Sequence, residues 1–198
     1  MLPIRLATPD DLETILTLID DAANWLRTMN TDQWSKPWPD RVKRDARVLR
    51  GLVDRRTWLV EDDGVPVATV TYRPDGNQDL WTPEEQAERS VYMSRLVVNR
   101  KYAGQGIGAA LIDWAGARGR IEFGALTLRI DVWTTNYPLH DYYKSQGFDF
   151  LRKYEEDKTY PSAALFGKPT ELIKVAPETL FREVHPNSQQ PREHTRKL

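Results

Sequence analysis

The sequence predicts a mixed α/β (α+β) fold built on one central sheet. Two apolar runs at residues 57–61 and 65–72 are separated by Asp62-Asp63-Gly64, a pattern typical of a β-hairpin. A strand-like run at 90–98 is followed by an amphipathic stretch and then by a second strand-like run at 126–133. Because a helix separates these two strands, we expect them to be parallel, with a right-handed crossover. The predicted order is therefore an antiparallel meander followed by a strand–helix–strand unit.

The N-terminal elements precede this meander. Residues 3–7 alternate as a short strand, and Thr8-Pro9-Asp10-Asp11 is typical of a capping box with proline at the first helical position. The helix that follows extends to about Met29, and a loop rich in Trp and Pro covers residues 30–39. Residues 40–55 predict a charged second helix. Its inward face is expected to hold Val42, Ala46, Leu49, Leu52 and Val53.

The later elements are predicted from the same kinds of signal. An excursion at 74–89 carries a second capping sequence, Thr82-Pro83-Glu84-Glu85. Residues 136–146 predict a helix that ends at Gly147, since glycine commonly follows a helix C-terminus. The last strands are expected at 148–154 and 163–166.

We expect one domain over residues 1–166, because a chain of 198 residues suffices for one core and an appendage. Residues 167–198 form a C-terminal extension in which proline and charge accumulate. Within it, residues 184–198 are expected to be a mobile polar tail.

The composition narrows the classes of function. A net charge of −1 gives no global field that would recruit nucleic acid or a membrane surface, and no apolar run approaches a membrane-spanning length. The chain contains no cysteine, which excludes disulfides and thiolate chemistry, and its three histidines are scattered, so no metal site is expected. A cysteine-free chain is consistent with the cytoplasm.

The stretch Ala103-Gly104-Gln105-Gly106-Ile107-Gly108-Ala109 lies between a predicted strand and a predicted helix. Glycines let the backbone approach a ligand closely, and the first N–H groups of a helix have no partner within the helix. A strand, a glycine loop and a helix N-terminus together predict a site for phosphate oxygens. The sequence therefore indicates a cofactor that carries phosphate.

The glycine pattern also satisfies G-x-G-x-x-A, the fingerprint of nicotinamide-dinucleotide oxidoreductases. Two observations count against that interpretation. Residues 99–103 intervene between the strand and the glycines, and the only candidate for the ribose-binding acid, Asp131, lies inside the next strand.

Two longer segments resemble the Gcn5-related N-acetyltransferase (GNAT) family. The segment from Leu96 to Leu111 resembles that family's acetyl-CoA motif, in which [RQ]-x-x-G-x-[GA] follows a strand, except that Ala103 stands where Arg or Gln is usual. The segment from Asn136 to Phe148 resembles the family's N…Y-x-x-x-G-F signature. The resemblance implies a mostly antiparallel sheet that splays between two parallel strands, with acetyl-CoA in the opening.

The resemblance also implies roles for individual residues. Tyr143 would donate a proton to the thiolate leaving group and contact the coenzyme, and Asn136 would contact the coenzyme or cap a helix. Strand residues Leu96, Val97 and Val98 would pair with the coenzyme through the backbone. The loop residues in the coenzyme site would be Ala103, Gly104, Gln105, Gly106, Ile107, Gly108 and Ala109.

The general base is left open by the sequence. Asp131 could act as a base through water, or it could pair with Arg129 or Arg95, which is the favoured interpretation. His140 lies one helical turn before Tyr143, where a structural role is expected. Trp34 and Trp38 are expected either to line the acceptor pocket or to pack in a lid or the core, and Asp131 is a third candidate for binding the acceptor.

The predicted function is transfer of an acetyl group from acetyl-CoA to a primary amine of a small molecule or peptide, by direct attack. The alternatives are a nicotinamide-dinucleotide oxidoreductase and a catalytically idle module that binds coenzyme A. No nucleic-acid or membrane partner is expected. The exposed edges of a splayed sheet would allow a homodimer.

Overall fold

An eight-stranded sheet lies at the centre of the computed structural model, which describes residues 1–157 and 159–184. The strands are β1 (Pro3–Leu6), β2 (Thr57–Asp62), β3 (Val65–Arg73), β4 (Ser90–Val98), β5 (Thr127–Val132), β6 (Asp149–Lys153), β7 (Ala164–Pro169) and β8 (Arg182–Glu183). The helices are α1 (Leu12–Leu26), α2 (Arg41–Val53), α3 (Pro83–Ala87), α4 (Ile107–Phe123), α5 (Tyr137–Ser145) and α6 (Pro177–Leu180). Short 3-10 turns cover Pro9–Asp11, Arg100–Tyr102 and Thr170–Leu172.

The strand order across the sheet is β6-β7-β5-β4-β3-β2-β1-β8. Strands β4 and β5 are parallel, as the crossover through α4 predicts, and β1 and β8 are also parallel; the other neighbours are antiparallel. The pairing of β4 with β5 covers only three residues of each strand, from Ser90–Thr127 to Tyr92–Arg129. Beyond that point the two strands have no paired residues, so the sheet opens there.

The predicted capping sequences both form. Thr8 and Asp11 make a reciprocal capping box ahead of α1, and Thr82 and Glu85 make another ahead of α3. Arg5 on β1 links the first box to the sheet, because its guanidinium donates to Asp11 and to Glu61 at 2.8 Å each. Local capping and a bridge to the hairpin therefore fix where α1 leaves the sheet.

Helix α2 forms where predicted, but its predicted inward face is wrong. Val42 is 78% exposed and Val53 is 61% exposed, and of the five residues expected inside only Leu52 is buried. The helix approaches the sheet through Gly51, where an added Cβ would lie 2.7 Å from the Thr57 hydroxyl. This close approach rotates the contacting face toward Val48, Gly51 and Leu52.

Helix α4 covers the opposite face of the sheet from α1 and α2. Its buried Trp114 packs edge-on against Trp58 and Tyr72, with ring centroids 4.9 and 5.6 Å apart. Near its C-terminus, Gly119 meets β4 so closely that an added Cβ would lie 2.5 Å from the Val91 side chain. The helix that follows the glycine loop is therefore held rigidly against the strand that precedes it.

The C-terminal extension, as far as residue 184, packs on the domain and adds a strand to its sheet. The boundary expected at residue 166 falls inside β7, and Ile173 and Phe181 are buried. Strand β8 extends the sheet by pairing with β1. The expected mobile tail at 184–198 lies outside the described residues apart from residue 184. No helix in the described ranges is long and apolar enough to cross a membrane.

The close contact between Gly119 and Val91 predicts that a side chain at position 119 would destabilise the fold. We expect Gly119→Ala to lower the free energy of unfolding, because overpacking costs about 1–3 kcal/mol and outweighs the helix propensity gained. Gly116→Ala is the matched variant in the same helix: its new Cβ would lie 2.2 Å from Cδ1 of Ile173 and 3.4 Å from Leu128. Cδ1 is the end of a side chain, whereas Gly119 faces the Cβ of Val91 at 2.6 Å, which moves only with the backbone, so we expect a smaller loss for Gly116→Ala. Urea unfolding of both variants measures the difference, and equal losses would contradict this account of the packing.

Candidate active site

A cleft of about 1520 Å³ opens where β4 and β5 separate. One end of the cleft is lined by Leu96, Val98 and Gly108, next to the glycine loop. The other end reaches the loop at 30–39 and the excursion at 74–89. The cleft therefore runs through the opening in the sheet, from the glycine loop to the 30–39 loop.

The glycine loop has the backbone conformation of an anion site. Gly104 and Gly106 have φ values of 78° and 76°, and an added Cβ at either position would meet no atom within 4 Å. Gly106 is the N-cap residue of α4 and supplies no side-chain cap, so the first N–H groups of the helix are open to a ligand. This arrangement fits the pyrophosphate of a coenzyme.

The other loop residues have different parts in the structure. Gly108 lies where an added Cβ would be 3.0 Å from the Tyr142 hydroxyl, so this glycine lets α4 and α5 approach each other. Ile107 is buried in the main core and offers the cleft only its backbone. Ala103 and Gln105 are exposed and Ala109 is half-buried.

A β-bulge shapes the floor of the cleft. The register of β4 against β3 shifts between the Thr71–Ser94 and Thr69–Val97 pairs, and Arg95 at the bulge has a φ of 50°. From Met93 to Val98 the edge of β4 that faces β5 has no paired strand in the described structure. Val97 is buried in the core beneath α1 and α2, and Leu96 and Val98 pack against the core on the α4 side, so these residues can serve a ligand mainly through backbone groups.

Tyr143 projects from α5 into the cleft. Its ring packs edge-on against Phe148 and Tyr142, with centroids 5.4 and 5.5 Å apart. Burial, followed by the nearby Tyr142 and Asp131, raises the pKa of the Tyr143 phenol above its usual range. The phenol is therefore protonated at neutral pH.

Asp131 faces the cleft from β5, two residues beyond the last pair with β4. The expected pairing with Arg129 does not occur, because Arg129 donates to Glu88 and to the Glu85 carbonyl instead. Burial raises the pKa of the Asp131 carboxyl to about 6, although the charge of Arg95 acts in the opposite direction. Arg95 influences Asp131 across the opening but makes no salt bridge to it within 4.0 Å.

The comparisons with known proteins agree with this geometry. The model of the acetyltransferase (GNAT) family matches residues 19–148. The N-acetyltransferase YesJ of Bacillus subtilis (strain 168) is 30% identical over 150 residues, covering 73% of this chain and 80% of YesJ. The chain belongs to the GNAT acetyltransferase family. It is an N-acetyltransferase that uses acetyl-CoA, and neither the oxidoreductase nor the idle module has support among these relatives.

Solved structures show that the fold is shared. A GNAT-family acetyltransferase from Listeria monocytogenes 4b F2365 superposes with a TM-score of 0.69 at 23% identity, over 85% of this chain and 94% of that one. The PaiA N-acetyltransferase of Thermoplasma acidophilum, solved in complex with coenzyme A, gives a TM-score of 0.63 at 17% identity, over 85% and 99% of the two chains.

Asn136 has the structural role expected of a helix cap in this GNAT fold. Its side-chain oxygen accepts from the Leu139 N–H at 3.1 Å, and its amide donates to Gln33, so both ends of the side chain are engaged. His140 is buried and bonds the Trp133 carbonyl at 2.8 Å, which confirms the structural interpretation. These bonds fix the start of α5, which carries Tyr143.

Both tryptophans of the 30–39 loop line the cleft, and each also packs. Trp34 contacts the core beneath α1 and α2, and Trp38 packs edge-on against Tyr160, with centroids 4.7 Å apart. Asp32 accepts from the Trp133 indole at 2.9 Å and from Thr135, which ties the loop to the end of β5. The loop is therefore a fixed wall of the cleft.

The sequence analysis missed several residues that the fold brings to the cleft. Two arginines, a glutamine and a tyrosine come from separate elements: Arg47, Arg73, Gln33 and Tyr160. Their side chains meet only through long-range packing, so no local spacing could have indicated them. A high count of arginine is visible in the sequence, but not which of the arginines converge.

The conformation of the glycine loop predicts that a large side chain at position 106 would prevent binding of coenzyme A. We expect Gly106→Glu to abolish binding of coenzyme A, because it places bulk and a carboxylate where the phosphate oxygens are accepted. Gly64→Glu is the matched control: Gly64 has a φ of 80°, also has no atom within 4 Å of an added Cβ, and lies in the β2–β3 turn. Titration calorimetry with coenzyme A should show a normal Kd for the control. Intact binding by Gly106→Glu would overturn the assignment of the loop.

Proposed function

We propose that the chain acetylates a primary amine by direct attack of the amine nitrogen on acetyl-CoA, with Tyr143 as general acid and Asp131 as general base. The observation that carries the proposal is the opening between β4 and β5, which gives the glycine loop, Tyr143 and Asp131 access to one cleft. The coenzyme would enter from the glycine-loop end and the amine from the end beside the 30–39 loop. The cleft is open to both, so no covalent enzyme intermediate is needed.

The proposed reaction has three requirements. Bound acetyl-CoA supplies the activated acetyl group as a thioester. The amine must lose its ammonium proton, the carbonyl oxygen must be stabilised as it gains charge, and the leaving sulfur must gain a proton. A C–N bond forms, a C–S bond breaks, the coenzyme leaves as a thiol, and one proton is released to solvent overall.

The unpaired edge of β4 supports the second requirement, which is stabilisation of the carbonyl oxygen as it gains charge. Backbone N–H groups from Met93 to Val98 are free of a neighbouring strand on the β5 side. Fixed backbone donors need no reorganisation when charge develops, so they stabilise a carbonyl oxygen effectively in a site with little water. The bulge at Arg95 turns the backbone where such a donor is needed.

Asp131 supports the first requirement, which is removal of the ammonium proton from the acceptor. A carboxyl with a pKa of about 6 is ionised at neutral pH, yet it is a stronger base than an ordinary aspartate. The described structure gives this carboxylate no salt bridge, so it is available to an incoming ammonium group. This assignment replaces the favoured expectation that Asp131 pairs with an arginine.

Removing the Tyr143 hydroxyl tests the general acid. We expect Tyr143→Phe to lower kcat about 10²–10⁴-fold and to leave the Kd for acetyl-CoA nearly unchanged, because the proton is needed only as the sulfur leaves. Phenylalanine keeps the ring contacts with Phe148, so thermal unfolding should change little. Steady-state kinetics with calorimetry measures both quantities.

Tyr142→Phe is the comparison for that experiment. Tyr142 is adjacent, also lines the cleft and carries its hydroxyl beside Gly108, so we expect it to retain most of kcat. A full rate in Tyr143→Phe together with a large loss in Tyr142→Phe would transfer the acid role to Tyr142.

The raised pKa of Asp131 predicts a pH dependence. The base must be ionised, so kcat/KM should fall as the pH drops through about 6 and should be level above it until other groups titrate. Asp131→Asn should remove this acidic limb and lower kcat/KM at every pH. Asp141→Asn, at a solvent-exposed carboxylate on α5, should keep the limb. An unchanged acidic limb in Asp131→Asn would exclude Asp131 as the base.

A further inference from the structure

Three arginines line the end of the cleft that lies away from the glycine loop. They come from α2 (Arg47), the end of β3 (Arg73) and the bulge of β4 (Arg95). Asp131 is the carboxylate on the floor beside them. Asp75, 3.8 Å from Arg73, and Asp79 lie in the excursion at the exposed rim. Positive charge therefore dominates the interior of this end.

Arg95 is a cation without a partner in the described structure. It makes no hydrogen bond and no salt bridge through its side chain to the described residues. Desolvation, followed by repulsion from Arg47 and Arg73, lowers its pKa to about 10. A half-buried, unpaired guanidinium is costly unless something binds it, and here two further arginines increase that cost.

The other two arginines are also incompletely neutralised. Arg47 donates to the Trp38 carbonyl and lies over the Trp38 ring at 5.4 Å, but it has no carboxylate partner among the described residues. Arg73 has only distant partners, Asp54 at 3.9 Å and Asp75 at 3.8 Å, and both are largely exposed. By contrast, Arg129 nearby is paired with Glu88.

The position of the cluster separates it from the coenzyme phosphates. Arg73 pairs with Tyr92 near the start of β4, whereas the glycine loop follows Val98 at the other end of that strand. Six residues of strand span about 20 Å. Arg95 lies three residues before Val98, in the second half of β4, but it is close enough to Arg47 and Arg73 for their charges to act on its pKa. The cluster therefore extends from the bulge of β4 away from the glycine loop, toward the space for the acceptor.

The walls around the cluster are aromatic. Trp38 and Tyr160 pack edge-on at 4.7 Å on one side, and Trp81 packs against Tyr92 at 5.4 Å beneath the excursion. Apolar walls lower the local dielectric, which strengthens the attraction between a guanidinium and an anion. A planar guanidinium also matches a carboxylate in two parallel hydrogen bonds.

We propose that the acceptor is an amine that carries a carboxylate, in the size range of a free amino acid, and that Arg95 binds this carboxylate with Arg47 and Arg73 in support. This inference rests on the proposed function. The amino group of such a molecule would face Asp131, which lies on the floor near Arg95, while its carboxylate neutralises the arginine cluster. A polyamine or aminoglycoside would meet repulsion at the same place.

The test is a panel of matched acceptors. Purified enzyme with acetyl-CoA is given free L-amino acids, the carboxamides of the same amino acids, and the corresponding decarboxylated amines. We expect kcat/KM to be on the order of 10²-fold higher or more for the carboxylate member of each set, because a site built for a charged group rejects an analogue that lacks it.

Variants of the three arginines test which of them provides the preference for a carboxylate. Arg95→Gln should reduce the ratio of kcat/KM for the preferred amino acid to kcat/KM for its decarboxylated amine on the order of 10²-fold, chiefly through the KM of the amino acid, and should leave the Kd for coenzyme A nearly unchanged. The ratio is the readout because the charge of Arg95 also acts on Asp131, which serves both acceptors. Arg47→Gln and Arg73→Gln should have smaller effects in the same direction. Lys43→Gln removes the same charge from α2 at a site that is 70% exposed and outside the cleft, and it should keep the full preference.

The outcomes distinguish this inference from the proposed function. Faster acetylation of carboxamides or decarboxylated amines, or an undiminished preference in Arg95→Gln, would overturn the inference and leave the N-acetyltransferase mechanism intact. Acetyl-CoA binding with no acetylation of any member of the panel would overturn the inference alone. The proposed function is overturned only if a wider panel of primary amines, including polyamines and peptides, is not acetylated either.

Discussion

The rest of the structure depends on the short pairing between β4 and β5. Three residues of each strand pair, and then the strands separate, which leaves one edge of β4 without a partner in the middle of a sheet. Unpaired backbone groups in a protein interior are costly, on the order of 1–3 kcal/mol each when no water or ligand reaches them. The opening therefore has to be held apart by the surrounding structure. In the proposed mechanism, both substrates would reach the same backbone edge through this opening.

Contacts on both sides of the opening hold it. On one side β4 is fixed by its antiparallel pairing with β3 and by the close contact of Gly119 with Val91. On the other side β5 pairs with β7 over six consecutive residues. The 30–39 loop bridges the end of the cleft, since Asp32 and Gln33 bind the segment between β5 and α5. The wall of the acceptor space and the helix that carries Tyr143 are thus one connected unit.

The sequence predicts most of the fold, because strand alternation, capping boxes and the hairpin turn are local signals. It also predicts that the glycine loop leads into α4 and that Tyr143 lies on the helix before Gly147, as the structure shows. The role of Tyr143 comes from the family resemblance and stays a prediction. The predictions from sequence are wrong where a contact between residues far apart in the chain determines the local structure. The close approach at Gly51 rotates α2, so the face that was predicted to be buried does not contact the sheet. Arg129, one of the expected partners of Asp131, is paired with Glu88 instead. The left-handed conformation of Arg95 has no local signal either, since arginine is uncommon there outside a bulge.

The missing side-chain cap at Gly106 links coenzyme supply to the lifetime of the folded protein. Helix α4 covers one face of the sheet, and its first turn has no side-chain cap, so bound coenzyme would supply the missing partners of its N–H groups. A ligand that binds only the folded state stabilises it by mass action, by about 2.7 kcal/mol at a free concentration one hundred times its Kd. In a starved cell with little acetyl-CoA, a larger fraction of the molecules would be unfolded and open to proteolysis. The abundance of the enzyme would then follow the metabolic state of the cell without any regulator of its expression.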